Sequence, residues 1–282
     1  MRADLHIHTY SSDGKYSPQE IASRAREAGL ALISMTDHDS LEGLVEKRTA
    51  AKEEGLAFVA GWEVSSYEGA AKVHVLGYGC KPCKAYESFL TARREGALAR
   101  AQEMIEKGNA FFHLDVTLAD AERFHLKKQA PLHTMHVVTA FSQRLGVKKG
   151  ELYLSAFAAG CPCYSDLCRP TPFDAVAVIH AAGGIASLAH PGRIPMEQDA
   201  KFALMDRLVE AGLDSIECYH SDHTSNEAET FAAYARDRGL YETGGSDFHV
   251  EGRNRVIGLP PFEPSEALLA ALSRAEGDQC GS

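Results

Sequence analysis

No apolar run in this chain approaches the roughly 18 residues that a membrane-spanning helix requires, so no transmembrane segment is expected. The opening "MRADLHIHT" carries one basic residue and lacks the apolar core of about 7 to 15 residues that defines a secretory signal, which makes a cytoplasmic location the default expectation. Basic runs and aromatic-basic stripes are also missing. With 29 Lys and Arg against 39 Asp and Glu the net charge is −10, and a long nucleic acid is an unexpected partner for such a surface. Cysteines number seven, an odd count that in a cytosolic chain reads as reduced thiols without structural disulfides. The pairs Cys80/Cys83 and Cys161/Cys163 suggest a zinc knuckle, but the gap between them is not that of a zinc ribbon, and small buried side chains are the simpler reading. Neither the composition nor the motifs say anything about oligomeric state.

What is present is a globular composition, 45% hydrophobic and 24% charged, over 282 residues, a length at which barrel folds run as one unit carrying an insertion. Seven short runs rich in apolar and β-branched residues read as strands: "ADLHIHT", "LALISMT", "LAFVAGWEV", "AKVHVLGYG", "GIASLAH", "DSIECYH" and "LYETGGSD". Helices fall between most of them. Ser17-Pro18-Gln19-Glu20 supplies an N-cap, a proline at the first helical position and a capping glutamate for a helix that stops at Gly29, and Ser40 and Gly55 bracket the next. "FDAVAVIHAAGG", "FALMDRLVEAG" and "AETFAAYARDRG" are each apolar on one face and followed by a strand. Such alternation predicts parallel strands in an α/β fold. Between residues 85 and 170 it gives way to consecutive helices, including "SFLTARREGALARAQEMIEKG" and "MHVVTAFSQRLG". Residues 1–84 and 171–282 are therefore expected to form an α/β barrel, and 85–170 an inserted helical subdomain, a cap on the face where barrel enzymes build their sites.

Metal-capable side chains recur at the ends of the predicted strands. His6 and His8 end the first, His38 follows the second, Glu63 ends the third, His74 lies on the fourth, His190 ends the fifth, and Asp247 and His249 follow the seventh, with Asp13 just beyond the first. Strand side chains alternate, so His6 and His8 share one face while Leu5 and Ile7 take the other. A barrel brings residues nearly 250 positions apart to one rim. A single histidine there reads as an ordinary hydrogen-bonding residue. Nine such groups converging, three of them carboxylates, require cations to offset their desolvation and mutual repulsion. His180, in an apolar helix, and His113 and His125, in the insert, read as structural or surface residues.

The ordered series "HIHTYSSDG", "TDHDS", "GWEVSS", "HVLGYG", "LAHPGR" and "GSDFH" resembles the polymerase and histidinol phosphatase (PHP) family of metal-dependent phosphoesterases over nearly the whole chain. The resemblance implies a distorted seven-stranded barrel, (β/α)7, holding three divalent ions, commonly manganese, iron or zinc. Carried over by position, His6, His8, Glu63 and Asp247 would hold the first ion; Glu63 would bridge to a second bound by His74 and His190; Asp13, His38 and His249 would hold the third. The mixed imidazole and carboxylate set does not select among these metals. The ions would supply both nucleophile activation and transition-state charge stabilisation. Protonation of the leaving group is assigned to His223, with His220 second, each alternatively a surface histidine.

Three substrates compete within the resemblance. Phosphatases of 3′,5′-nucleoside bisphosphates commonly carry "GRPH" in the insert; the nearest stretch here is "HTMH", with His133 and His136 but no arginine. A cyclic phosphodiesterase that opens a ring phosphate on ribose 5-phosphate and then removes the monoester is therefore favoured, with Arg94, Arg100 and Arg193 as candidate distal-phosphate anchors. A nucleic-acid module of the polymerase type, and a histidinol phosphatase, rank lower. The expected partner is a small phosphate ester.

Overall fold

Leu5 and Ile7 sit under helices while Asp4, His6 and His8 between them face inward, and this alternation of the first strand sets the plan of the barrel. The computed structural model describes residues 1–125, 131–252 and 255–277. Seven strands, β1 (Ala3–Ile7), β2 (Leu32–Met35), β3 (Ala57–Glu68), β4 (Ala71–Tyr78), β5 (Ile185–Leu188), β6 (Ser215–His220) and β7 (Tyr241–Gly245), form one sheet in sequential order. Just past β7 the chain pairs back onto β1: Asp247 N donates to His6 O (2.8 Å) and His8 N to Phe248 O (2.9 Å). This contact nearly closes the sheet into a barrel. It also accounts for Gly245 in β7, since a Cβ there would lie 2.5 Å from the His6 backbone nitrogen.

The helices are α1 (Pro18–Glu27), α2 (Leu44–Glu53), α3 (Lys84–Phe112), α4 (Leu118–Glu122), α5 (Thr134–Leu145), α6 (Lys149–Leu152), α7 (Pro172–Ala181), α8 (Gln198–Glu210), α9 (Ser225–Asp237) and α10 (Glu266–Gly277). Among the described residues none is long and apolar enough to cross a membrane. Ser17 forms the expected capping box with Glu20, and Thr171/Asp174 and Thr224/Glu227 repeat it at α7 and α9. Each such cap contributes about 1 kcal/mol. Ile7, Ile33 and Met35 pack with Ile21, Ala22 and Ala25 of α1, while Leu5, Leu76 and Tyr78 pack with Leu268 and Leu272 of α10.

Two expectations are corrected. The fourth strand is antiparallel to both neighbours, with Ser65 opposite His74 and Val75 opposite Leu188. Only two residues separate β3 from β4, too few for the crossover that a parallel pair needs. His74 therefore reaches the rim from the early part of its strand. The second helix begins at Leu44 after Gly43, not at Ser40, whose hydroxyl instead accepts from Glu42 N in the preceding turn (3.0 Å).

The chain divides into two compact units, Met1–Tyr86 with Thr171–Ser282, and Glu87–Pro170. The second has its own core of Met104, Ile105, Val137, Val138, Phe141 and Phe157. Cys80, Cys83, Cys161, Cys163, Cys168 and Cys218 are free thiols, and Cys280 lies outside the described residues.

Candidate metal centre

Glu63, on the inner face of β3 and 1% exposed, stands at the middle of five imidazoles. Its Oε2 lies 3.2 Å from His6 Nε2, 3.1 Å from His8 Nε2 and 3.2 Å from His38 Nδ1. Its Oε1 lies 2.5 Å from His74 Nδ1 and 3.1 Å from His190 Nε2. One carboxylate thus divides the rings into two sets, one on each oxygen. Asp247 Oδ1 joins the first set at 3.1 Å from His8 Nε2 and 3.5 Å from His6 Nε2. Asp13 lies 3.2 Å from His249 Nε2, 3.6 Å from His8 Nδ1 and 3.9 Å from His38 Nε2. All nine residues singled out in the sequence as metal ligands are thus brought together. His190 and Asp247 adopt left-handed φ values of 28° and 51°, the kind of local strain that concentrates at functional sites.

The cluster is electrostatically unbalanced. Burial would raise the Glu63 carboxyl, but the imidazoles of His38, His74 and His6 hold it well below the usual range. Burial opposes charge on His6 and His8, yet the surrounding carboxylates outweigh it, lifting His6 well above its ordinary value and His8 to about 9. Burial prevails at His38, held well below the ordinary value, and at His190, lowered to about 4. Neighbouring imidazoles are thus driven in opposite directions.

The donor atoms fit divalent cations. Buried His6 Nε2, both ring nitrogens of His8, His38 Nδ1, His74 Nε2, His190 Nδ1 and Glu63 Oε2 make no aligned hydrogen bond, although several have an oxygen or nitrogen nearby. Unsatisfied buried atoms are costly, and His6 Nε2, His8 Nε2 and His38 Nδ1 converge on Glu63 Oε2, while His74 and His190 approach Glu63 Oε1 with their other ring nitrogen. His6, His8, Glu63 and Asp247 each offer a ligand atom within 4.8 Å of the others; His8, Asp13, His38 and His249 do the same, as do His38, Glu63 and His74.

Behind these ligands lies a residue that the sequence reading missed. Glu217 of β6, fully buried, accepts from His6 Nδ1 (2.8 Å) and from His190 N (2.7 Å). A proton fixed on His6 Nδ1 leaves Nε2 as a lone-pair donor aimed at Glu63 and Asp247. The detectable signal was a carboxylate inside the apolar run "SIECY".

The two candidate proton donors both have partners within the barrel unit. His223 Nδ1 donates to Cys218 O (2.9 Å) while Nε2 accepts from Gly192 N (3.1 Å), so both nitrogens serve the backbone of a neutral ring. His220 Nδ1 accepts from Asp222 N (3.0 Å) and Nε2 faces Asp247 Oδ2 at 3.3 Å, which makes it a support for Asp247. Arg193 does reach the site. Its NH1 lies 2.9 Å from Asp247 Oδ2 and its Nε 3.4 Å from Asp222. Arg255, also missed, pairs with Asp247 and lies 2.5 Å from Asp222. These arginines, Asp222 and Lys72 line a cleft of about 360 Å3 together with Asp13, His38, Glu63, His74, Asp247 and His249. Arg94, Arg100, His133 and His136 belong to the second unit, where Arg100 donates to Leu167 O (3.3 Å) and His133 and His136 form the cap of α5.

Comparison with known proteins gives the geometry its context. Residues 4–132 match the model of the PHP domain. The chain is 34% identical over 274 residues to a 3′,5′-nucleoside bisphosphate phosphatase of Chromobacterium violaceum, covering 92% of this chain and 93% of the relative. It is 33% identical over 270 residues to a phosphoribosyl 1,2-cyclic phosphate 1,2-diphosphodiesterase of Eggerthella lenta, covering 92% and 98%. A 5′-3′ exoribonuclease of Escherichia coli is 29% identical over 254 residues, covering 87% and 84%. Among solved structures, a Chromobacterium violaceum protein described as an amidohydrolase with bound sulfate matches with a TM-score of 0.72 and 30% identity, covering 98% and 97%. With a barrel rim of nine converging candidate ligands and full-length relatives of this kind, the chain belongs to the PHP family and is a metal-dependent phosphoesterase.

Proposed function

We propose that the protein hydrolyses a small phosphate ester with three divalent ions, held by His6, His8, Glu63 and Asp247; by Glu63, His74 and His190; and by Asp13, His38 and His249. The observation that carries this reading is the division of five imidazoles between the two oxygens of Glu63, the arrangement a bridging ligand needs. When bound, such ions activate water and stabilise the charge that develops on the phosphoryl group.

The chain's own residues supply orientation. Arg193 and Arg255, both tethered to Asp222, and Lys72 give the cleft a cationic side able to bind phosphate oxygens beyond the reacting centre. A volume near 360 Å3 is at the small end of ligand sites, which favours a compact phosphorylated sugar. The missing "GRPH" arginine weighs in the same direction, so the favoured substrate is a ribose 5-phosphate cyclic ester, cleaved at both bonds. A nucleoside 3′,5′-bisphosphate is the second reading, supported by full-length similarity to such a phosphatase.

The test is phosphate release from cyclic ribose phosphates, 3′,5′-adenosine bisphosphate and histidinol phosphate offered side by side to manganese-loaded protein. The cyclic reading requires a lag or a monoester intermediate before phosphate appears. High kcat/KM on the bisphosphate with no turnover of any cyclic ester would replace it, and inactivity on all of these with degradation of RNA would move the assignment to a nuclease.

A further inference from the structure

Lys47 of α2 is fully buried, the only lysine so placed among the described residues. An ammonium is retained in such a position only when its charge is matched, and its Nζ lies 2.5 Å from Oδ2 of Asp37, itself fully buried. Asp37 is in turn the hub of a loop. Its Oδ1 accepts from Thr9 N (2.8 Å) and Ser12 Oγ (2.6 Å), and its Oδ2 from Thr9 Oγ1 (2.7 Å). Within the same loop Ser11 N donates to Thr9 Oγ1 (3.1 Å) and Gly14 N to Thr9 O (3.0 Å). The turn is tight enough that a Cβ on Gly14 would collide with the His8 carbonyl oxygen at 2.5 Å. Every residue gripped by Asp37 adjoins a candidate ligand: Thr9 follows His8, Ser12 precedes Asp13, and Asp37 itself precedes His38.

We propose that Lys47 and Asp37 form a positioning clamp that sets Asp13 and His38, two of the three residues assigned to the third ion, and thereby governs affinity chiefly at that site. Both hang from segments fixed by Asp37, whereas His8, a ligand of the first ion, is also held by the bond from its backbone nitrogen to Phe248 O (2.9 Å), and Asp247, His74 and His190 come from the end of β7, from β4 and from the end of β5. Lys47 cancels the Asp37 charge, so that the aspartate binds its hydrogen-bond donors without adding an uncompensated anion behind the ligands. Neither residue lines the cleft, and neither is assigned contact with substrate. The inference rests on the divalent-metal reading above.

The test is titration of metal-free full-length protein with manganese and with cobalt, recording stoichiometry, stepwise affinity and the cobalt absorption spectrum. Lys47→Met should weaken one binding step by about 10- to 100-fold, the usual effect of removing a group that orients ligands, and leave the remaining steps within a few-fold. Ser12→Ala, which removes the bond to Asp37 together with a longer one to Asp13 Oδ1 (3.3 Å) and leaves the buried pair intact, should weaken the same step less and keeps the idea testable if Lys47→Met fails to fold. Asp37→Asn combined with Lys47→Met should restore part of the affinity lost in Lys47→Met, because the buried charges are then balanced. A clamp that merely anchors α2 would lower the melting temperature while leaving every step at native affinity, and that result overturns the proposal. Equal weakening of all steps also overturns it. If the native protein itself binds neither cation, the divalent-metal reading fails and this inference with it.

Discussion

Replacing Glu63 by glutamine keeps the volume and removes the charge around which five imidazoles are arranged. Structural zinc in four-ligand peptide sites binds with about 10–16 kcal/mol, so on that scale one ligand accounts for about 2.5–4 kcal/mol, or about 10²- to 10³-fold in affinity. Because His6 and His8 crowd Oε2 while His74 and His190 crowd Oε1, two ions should weaken together. In metal-free protein the substitution also removes a carboxylate whose folded-state value is held well below the ordinary one. Such a group stabilises the fold above its unfolded pKa, near 4.3, and loses that contribution as pH falls, so Glu63→Gln should be destabilising at pH 7 and nearly neutral in acid. The assays are elemental metal analysis after dialysis, phosphate release, and denaturant melts of metal-free protein at both pH values. Full metal content with near-native turnover would refute the bridging role.

Three further outcomes follow from the same geometry. Metal binding at pH 7 should release protons, because His8, raised to about 9 by Asp247 and Glu63 despite burial, must be neutral to act as a ligand. Calorimetry in buffers of different ionisation enthalpy should show this release, with apparent affinity rising up to about pH 9; a buffer-independent heat at pH 7 contradicts it. Arg193→Ala or Arg255→Ala should lower kcat/KM by about 1–3 kcal/mol in transition-state binding with metal content retained, and unchanged kinetics would remove both from the substrate site. Glu217→Gln should cost about 10- to 100-fold in metal affinity by freeing His6 Nδ1, measurable by the same metal titration, and native affinity would show that the contact is incidental.

Much of the site was legible because alternation in a strand is strict. His6 and His8 could face one way only, and Ser17, Glu20 and Gly29 mark the ends of α1 in the sequence itself. The direction of β4 was not legible, because an apolar strand reads the same in either orientation; only the two-residue link at Gly69 and Ala70 distinguished them. The partners of His223, Cys218 O and Gly192 N, were not legible either, because they depend on backbone folding that spacing does not encode. Glu217, Arg255 and Lys47 escaped for a related reason. Each acts through a partner distant in sequence: His6 for Glu217, Asp222 for Arg255, Asp37 for Lys47. Charged residues of this kind announce themselves only once burial is known.

The central claim is that divalent ions sit on both sides of Glu63. Anomalous diffraction from a crystal soaked in manganese measures this directly. The account predicts peaks within about 2–2.3 Å of ligand atoms on both carboxylate oxygens, one shared with His6, His8 and Asp247 and one with His74 and His190. Absence of anomalous density at either oxygen, with the five imidazoles still surrounding Glu63, would contradict it.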